Sequence, residues 1–184
     1  MKNIPVLFGL AFVLSFVAPA QRLNLAEFRK LAQGCVPEAD RRDLLTLART
    51  ESNLNPWALS VNRPASLARR LGYVSGRVYL KNQPKSKREA IRWTRELEAA
   101  GATVSVGILQ VNLEQAADPI EQLFDPCTNL KRGWAIFQIA YRKQVLGFGE
   151  GQRALLAAFG AYNAGLPLAG FRNGYVLSIL RNSY

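Results

Sequence analysis

Apolar residues along this chain recur mostly at three- and four-residue intervals, broken by glycine, proline and asparagine, and that spacing predicts a mostly helical protein. Residues 23–33 read as a short amphipathic helix stopped by Gly34. Pro37 to Ser52 reads as a second helix, with Pro37 in its first turn and Glu38, Asp40 and Asp43 near its positive end. On it Leu44, Leu47, Ala48 and Glu51 form one stripe, and Asn53, Asn55 and Pro56 close it. The pattern then breaks at Gly72 and Gly76, with Arg77 to Leu80 as a short strand. Ser86 and Glu89 predict a capping box that opens a helix running to about Ala100, ended by Gly101. Val104 to Val111 is apolar around Gly107 and reads as a strand or a buried loop. Asp125-Pro126 supplies the cap and first turn of a long helix to Leu146. Gln152 to Asn163 follows, with Leu155, Leu156, Phe159 and Tyr162 inward, and Tyr175 to Leu180 predicts a last short helix. The expected fold class is α+β, mostly α-helical, with a small amount of sheet.

The first twenty residues stand apart from this scheme. Lys2 precedes an apolar run from Ile4 to Val17, and Ala18-Pro19-Ala20 supplies small residues. That is the pattern of a secretory signal peptide cleaved near Ala20/Gln21, which leaves 21–184 as one domain with no stable membrane span. An uncleaved anchor is the alternative, and the run is short for a spanning helix. Export changes the reading of Cys35 and Cys127: in an oxidising compartment an even pair is expected to form a disulfide. Two buried free thiols are the other reading.

Composition narrows the chemistry. The 184 residues are 49% apolar and 20% charged, enough for a packed core and too apolar for disorder. There is no histidine, which excludes Ser-His-Asp and Cys-His nucleophile systems and His-ligated zinc. The net charge of +11 calls for an anionic partner, and an exported protein meets the anionic envelope before it meets nucleic acid. The cluster of Lys85, Lys87, Arg88, Arg92 and Arg95 reads mainly as a solvated helix face.

Glu51 is the candidate acid. It occupies a position where the stripe calls for an apolar side chain, so burial raises its pKa. It also lies at a helix C-terminus, where the dipole disfavours negative charge. Both effects favour the protonated form that a general acid needs near neutral pH. A Glu paired with Arg49 or a distant arginine is the plain structural alternative.

Three segments add weight to the chemistry: Glu51-Ser52-Asn53-Leu54-Asn55-Pro56-Trp57-Ala58, Ser105-Val106-Gly107-Ile108-Leu109-Gln110-Val111-Asn112, and Ala161-Tyr162-Asn163-Ala164-Gly165. In this order they resemble the motifs of the soluble, goose-lysozyme-like lytic transglycosylases. There a Glu-Ser pair closes a helix, followed by Gly-Leu-Met-Gln and Ala-Tyr-Asn-Ala-Gly segments. The resemblance covers most of residues 38 to 184. Phe124-Asp125-Pro126-Cys127-Thr128-Asn129-Leu130-Lys131 is similar to the branch associated with type IV secretion, conjugation and pilus systems. Gly107-Ile108-Leu109-Gln110 departs from the family by apolar swaps alone, whereas Arg63 to Leu80 match no motif that can be carried over.

The resemblance implies a lysozyme-like fold with a small β region beside the cleft, located in the periplasm. It implies cleavage between N-acetylmuramic acid and N-acetylglucosamine, with a 1,6-anhydromuramic product. No cofactor or metal is implied. The expected partners are peptidoglycan glycan strands and components of a secretion or conjugation apparatus, not nucleic acid. Glu51 is implied as catalyst, with Tyr162 hydrogen-bonding it. Ser52 and Gln110 are implied to contact the sugar, Asn163 to orient the cleft, and Tyr175 to serve as a late cleft tyrosine. Gly107 and Gly165 are expected to serve backbone geometry. No Asp or Glu lies in 107–112 or 161–165, which fits a scheme with a single carboxylate. Glu114 and Asp118 follow closely, and their plain reading is a solvent-facing helix start. A hydrolytic lysozyme on the same fold and a non-catalytic wall-binding component remain as alternatives.

Overall fold

The computed structural model describes residues 22–63, 80 and 82–183. Its first two helices are α1 (Leu25–Cys35) and α2 (Arg41–Ser52), followed by strand β1 (Leu59–Arg63). Helix α3 (Lys87–Ala99), strands β2 (Thr103–Val106) and β3 (Val111–Asn112) and a 3₁₀ turn (Leu113–Gln115) make the middle of the chain. Helices α4 (Ile120–Leu123), α5 (Pro126–Phe148), α6 (Gln152–Ala164), α7 (Pro167–Arg172) and α8 (Tyr175–Asn182) complete it. The expected balance of mostly helix with a small sheet is what the chain adopts.

Capping chemistry sets the helix starts. Asn24 and Glu27 form a full capping box on α1, and the helix runs through Gly34 to Cys35. The expected stop at Gly34 is therefore two residues early, and the chain leaves helical geometry at Val36. α2 begins at Arg41, not at Pro37, because Asp40 Oδ1 accepts from the Arg42 and Asp43 N–H groups at 2.9 Å. Residues 37–39 form a turn ahead of that cap. Ser86 caps α3 as expected, but only half the box forms: Glu89 reaches past Ser86 to the Lys85 N–H at 2.7 Å. Asp125 caps α5 with Pro126 in the first turn. α4 and α7, of four and six residues, are too short to show a helical stripe and were not expected.

The three strands form one antiparallel sheet in the order β1-β2-β3. Leu59 pairs with Val106 and Val61 with Val104, and the register slips between Val61 and Arg63. Val106 then pairs with Val111 across a tight turn at residues 107–110. Val104 to Val111 is thus strand, turn and strand. The strand expected at Arg77 to Leu80 lies outside the described residues except for Leu80, which is buried.

Two apolar clusters fill the interior. In one, Leu44 and Leu47 of α2 pack with Phe28, Leu130, Trp134, Phe137 and Phe159. The ring centroids of Phe137 lie 5.1 Å from Trp134 and 4.8 Å from Phe159. In the other, sheet residues Leu59, Val61, Val104 and Val106 pack with Leu97, Leu123 and Phe124. The 107–110 turn joins them, since Ile108 and Leu109 enter the helical cluster and Val106 and Val111 the sheet cluster. On α6 the fully buried positions are Ala154, Ala157, Ala158, Phe159 and Gly160, whereas Leu155 and Leu156 are half-buried. Small residues there let α7 approach: a Cβ on Gly160 would lie 2.3 Å from the Pro167 carbonyl oxygen. Cys35 and Cys127 form a disulfide between the end of α1 and the start of α5. Among the described residues no helix is long and apolar enough to cross a membrane.

Candidate active site

Glu51 sits in the last turn of α2, only 6% exposed. Burial, offset in part by a hydrogen bond from Tyr175, raises its carboxyl pKa from 4.5 to about 7. Asn53 ends the helix in the left-handed conformation and turns the chain away just past the acid.

The 107–110 turn lies against this helix end. Ser52 Oγ donates to the Ile108 carbonyl at 2.8 Å and accepts from the Asn55 N–H at 3.2 Å. Tyr162 Oη donates to the Leu109 carbonyl at 2.6 Å. Asn129 of α5 closes the turn from below: its Oδ1 accepts from the Leu109 N–H at 2.8 Å, and its Nδ2 donates to the Val106 and Leu123 carbonyls. Gly107 has φ of 78°, and a Cβ there would fall 2.3 Å from Asn129 Nδ2. The expected geometric role of Gly107 follows from both facts. Gly165, also at positive φ, ends α6.

Gln110 holds the turn from within. Its φ is 47°, uncommon for a residue with a side chain. Nε2 donates to the Ala58 and Gly107 carbonyls at 3.1 and 2.9 Å. Its Oε1 is buried with no hydrogen-bond partner among the described residues. Gln110 and Ser52, the residues expected to contact the sugar, both engage backbone carbonyls with their donors.

The tyrosine expectations need one exchange. Tyr162 was expected to hydrogen-bond Glu51, yet its proton goes to Leu109. Tyr175, at the first turn of α8, is the donor to Glu51 Oε1. Tyr162 remains close enough for the Glu51 charge to raise its own pKa, after burial as the larger cause. Asn163 supports Tyr175 indirectly: its Oδ1 accepts from Asn173 Nδ2 at 2.8 Å, and Asn173 Oδ1 accepts from the Tyr175 N–H at 3.0 Å. α8 is itself tied to α2, since Asn182 Nδ2 donates to Thr50 Oγ1 at 3.0 Å.

Glu114 and Asp118, which follow the turn in sequence, each have a partner. Asp118 pairs with Arg132 at 2.6 Å, which lowers its pKa. Glu114 accepts from Thr103 Oγ1 at 3.0 Å beside the 3₁₀ turn. Sequence reasoning did not single out Asn129 or Asn173. Asn129 carried a readable signal, being a polar residue on the buried stripe that continues through Leu130, Gly133, Trp134 and Phe137. Among the described residues no group of three or more His, Cys, Asp or Glu side chains is arranged to hold a metal ion.

A helical domain with a small three-stranded sheet and one buried, neutral-range carboxylic acid at a helix end is a lysozyme-like arrangement. Comparison with known proteins agrees: residues 31–170 match the Transglycosylase SLT domain, and the chain belongs to that family. It is 38% identical over 152 residues to the type IV secretion system protein virB1 of Brucella abortus biovar 1 (strain 9-941), covering 80% of this chain and 58% of that protein. The Brucella suis biovar 1 (strain 1330) protein of the same name matches equally. Protein virB1 of Agrobacterium fabrum (strain C58 / ATCC 33970) is 27% identical over 164 residues, or 87% of this chain and 60% of its own. The chain thus spans less than two thirds of the length of these relatives. No solved structure matches it significantly.

Proposed function

We propose that this protein is a peptidoglycan lytic transglycosylase with Glu51 as its catalytic acid and base. The observation that carries the reading is the buried Glu51 carboxyl, raised to about 7 and held by Tyr175. Near neutral pH a large fraction is protonated and can donate. The proton goes to the glycosidic oxygen as the bond from the muramic anomeric carbon breaks. The sugar's own 6-hydroxyl oxygen then bonds that carbon, and its proton returns to Glu51. The nucleophile is intramolecular, so no second carboxylate and no water are required. Tyr175 positions Glu51. Ser52, Gln110 and Tyr162 fix the turn that faces it, and Asn163 steadies Tyr175.

The SLT family membership supports the reaction class, and the relatives' description as type IV secretion system proteins supports the setting. In that setting the enzyme opens the wall locally for an envelope-spanning apparatus. Residues 1–20 are proposed as a cleaved export signal, with 21–184 as the catalytic domain working in the periplasm. The test is mass spectrometry of muropeptides released by wild type and by Glu51→Gln. The expected result is 1,6-anhydromuramic products from wild type and near-complete loss in the variant. Reducing-end muramic acid from wild type would convert the reading to a hydrolase. Full activity in Glu51→Gln would remove Glu51 from the chemistry.

A further inference from the structure

A cavity of about 610 Å³ opens between α1 and α2, and none of the proposed catalytic residues lines it. Arg41, Leu45 and Arg49 line it from α2 at i, i+4 and i+8. Leu44, at its floor, shares the Glu51 stripe but lies about two turns nearer the start of α2, so the cavity opens toward the opposite end of the helix from the acid. Its walls are apolar: Phe28 and Leu44 at the floor, Leu25 and Leu45 half-buried above them. Its rim is cationic, with Arg29, Arg41, Arg42 and Arg49 and no Asp or Glu among the lining residues. None of these arginines forms a salt bridge among the described residues. Arg49 makes only a long contact to the Asn182 carbonyl, at 3.5 Å.

We propose that this cavity docks an acidic, amphipathic segment of a partner protein, with apolar side chains seated on the Phe28–Leu44 floor and carboxylates against the arginine rim. Apolar recess and charged rim are the two halves of a peptide-binding groove. The volume falls in the range of pockets that take small ligands and anchor side chains, about 300–1,000 Å³. Charge complementarity selects the occupant. The segments of this chain outside the described residues, 1–21, 64–79, 81 and 184, contain no Asp or Glu. A second copy brings a net charge of +11 of its own. A membrane surface fits poorly, since the apolar area is recessed beneath the arginines instead of projecting into a bilayer.

The experiment places photoreactive benzoylphenylalanine at Gln33, an exposed residue on the cavity wall, in full-length protein made by cells that naturally carry it. The cross-linked segment is sequenced, synthesised as a labelled peptide and titrated against purified protein. A segment with acidic residues flanking apolar ones is expected. Arg41→Glu/Arg42→Glu should weaken its binding at least about tenfold while wall lysis stays at the wild-type level. Arg42 also offsets the like charges of Asp40 and Asp43, so Arg29→Glu, on α1, is measured beside it with the same weakening expected, and lysis verifies that both variants fold. No cross-link overturns the proposal. So does a cross-link only to lipid, to a peptidoglycan stem or to a second copy, or binding that the charge reversal leaves unchanged. Lysis is read separately, so failure here leaves the wall-cutting reading standing.

Discussion

Burying an acid at the end of a helix makes Glu51 useful and also destabilising. Its folded pKa of about 7 exceeds the ordinary 4.5, so its folded state binds protons more tightly than the unfolded chain. The contribution to stability is complete below pH 4.5 and is lost as pH rises through about 7. At pH 8 the loss approaches about 3 kcal/mol. Glu51→Gln should therefore be more stable than wild type at pH 8, by up to that amount, and the gain should fade as pH falls toward 4. Urea unfolding of both proteins across this range is the measurement, and a gain independent of pH would contradict the assignment. Tyr175 sets the same group from the other side. Its hydrogen bond lowers the Glu51 pKa, so Tyr175→Phe should raise it. If Glu51 must be protonated, the alkaline limb of kcat/KM should move to higher pH while maximal lysis falls. An unmoved limb would leave Tyr175 as packing alone.

At the scale of elements, the 107–110 turn is where packing and chemistry meet. Gly107→Ala meets two obstacles, a positive φ and the Asn129 side chain at 2.3 Å. Gly165→Ala meets only a positive φ, with open space around it. Chemical denaturation should give a loss of about 1 kcal/mol for Gly165→Ala and about 3 kcal/mol for Gly107→Ala. Equal losses would mean that Asn129 yields easily. The Glu51 stripe, the Ser86 and Asp125 caps and the long helix α5 were legible, because each rests on spacing within one element. The start of α2 was misplaced because Pro37 and Asp40 are both good helix openers and only the cap hydrogen bonds choose between them. Which tyrosine donates to Glu51 was not legible. Tyr162 and Tyr175 lie on different helices, and their hydroxyls are sorted by packing across a separation of 124 residues between Glu51 and Tyr175.

At the scale of the molecule, the site is assembled from distant stretches of chain. α2 carries the acid, the β2–β3 turn faces it, α5 supports the turn, and α8 brings the tyrosine. The Cys35–Cys127 disulfide spans 92 residues and joins α1 to the start of α5, the helix it packs against, two residues before Asn129. Closing a loop of that size restricts the unfolded chain by about 5 kcal/mol in the entropy model. For a domain of this length, each kcal/mol moves Tm by roughly 3 °C, so Cys35→Ala/Cys127→Ala should lower Tm by roughly 15 °C. The hydrogen bonds around Glu51 do not depend on the sulfur atoms, so the variant should keep wild-type lysis well below its new Tm. Calorimetry paired with lysis at low temperature distinguishes the outcomes. A large fall in Tm with lysis intact makes the bridge a brace for the folded state, whereas lysis lost at a temperature where the variant is fully folded would make it part of what holds α2 against the turn.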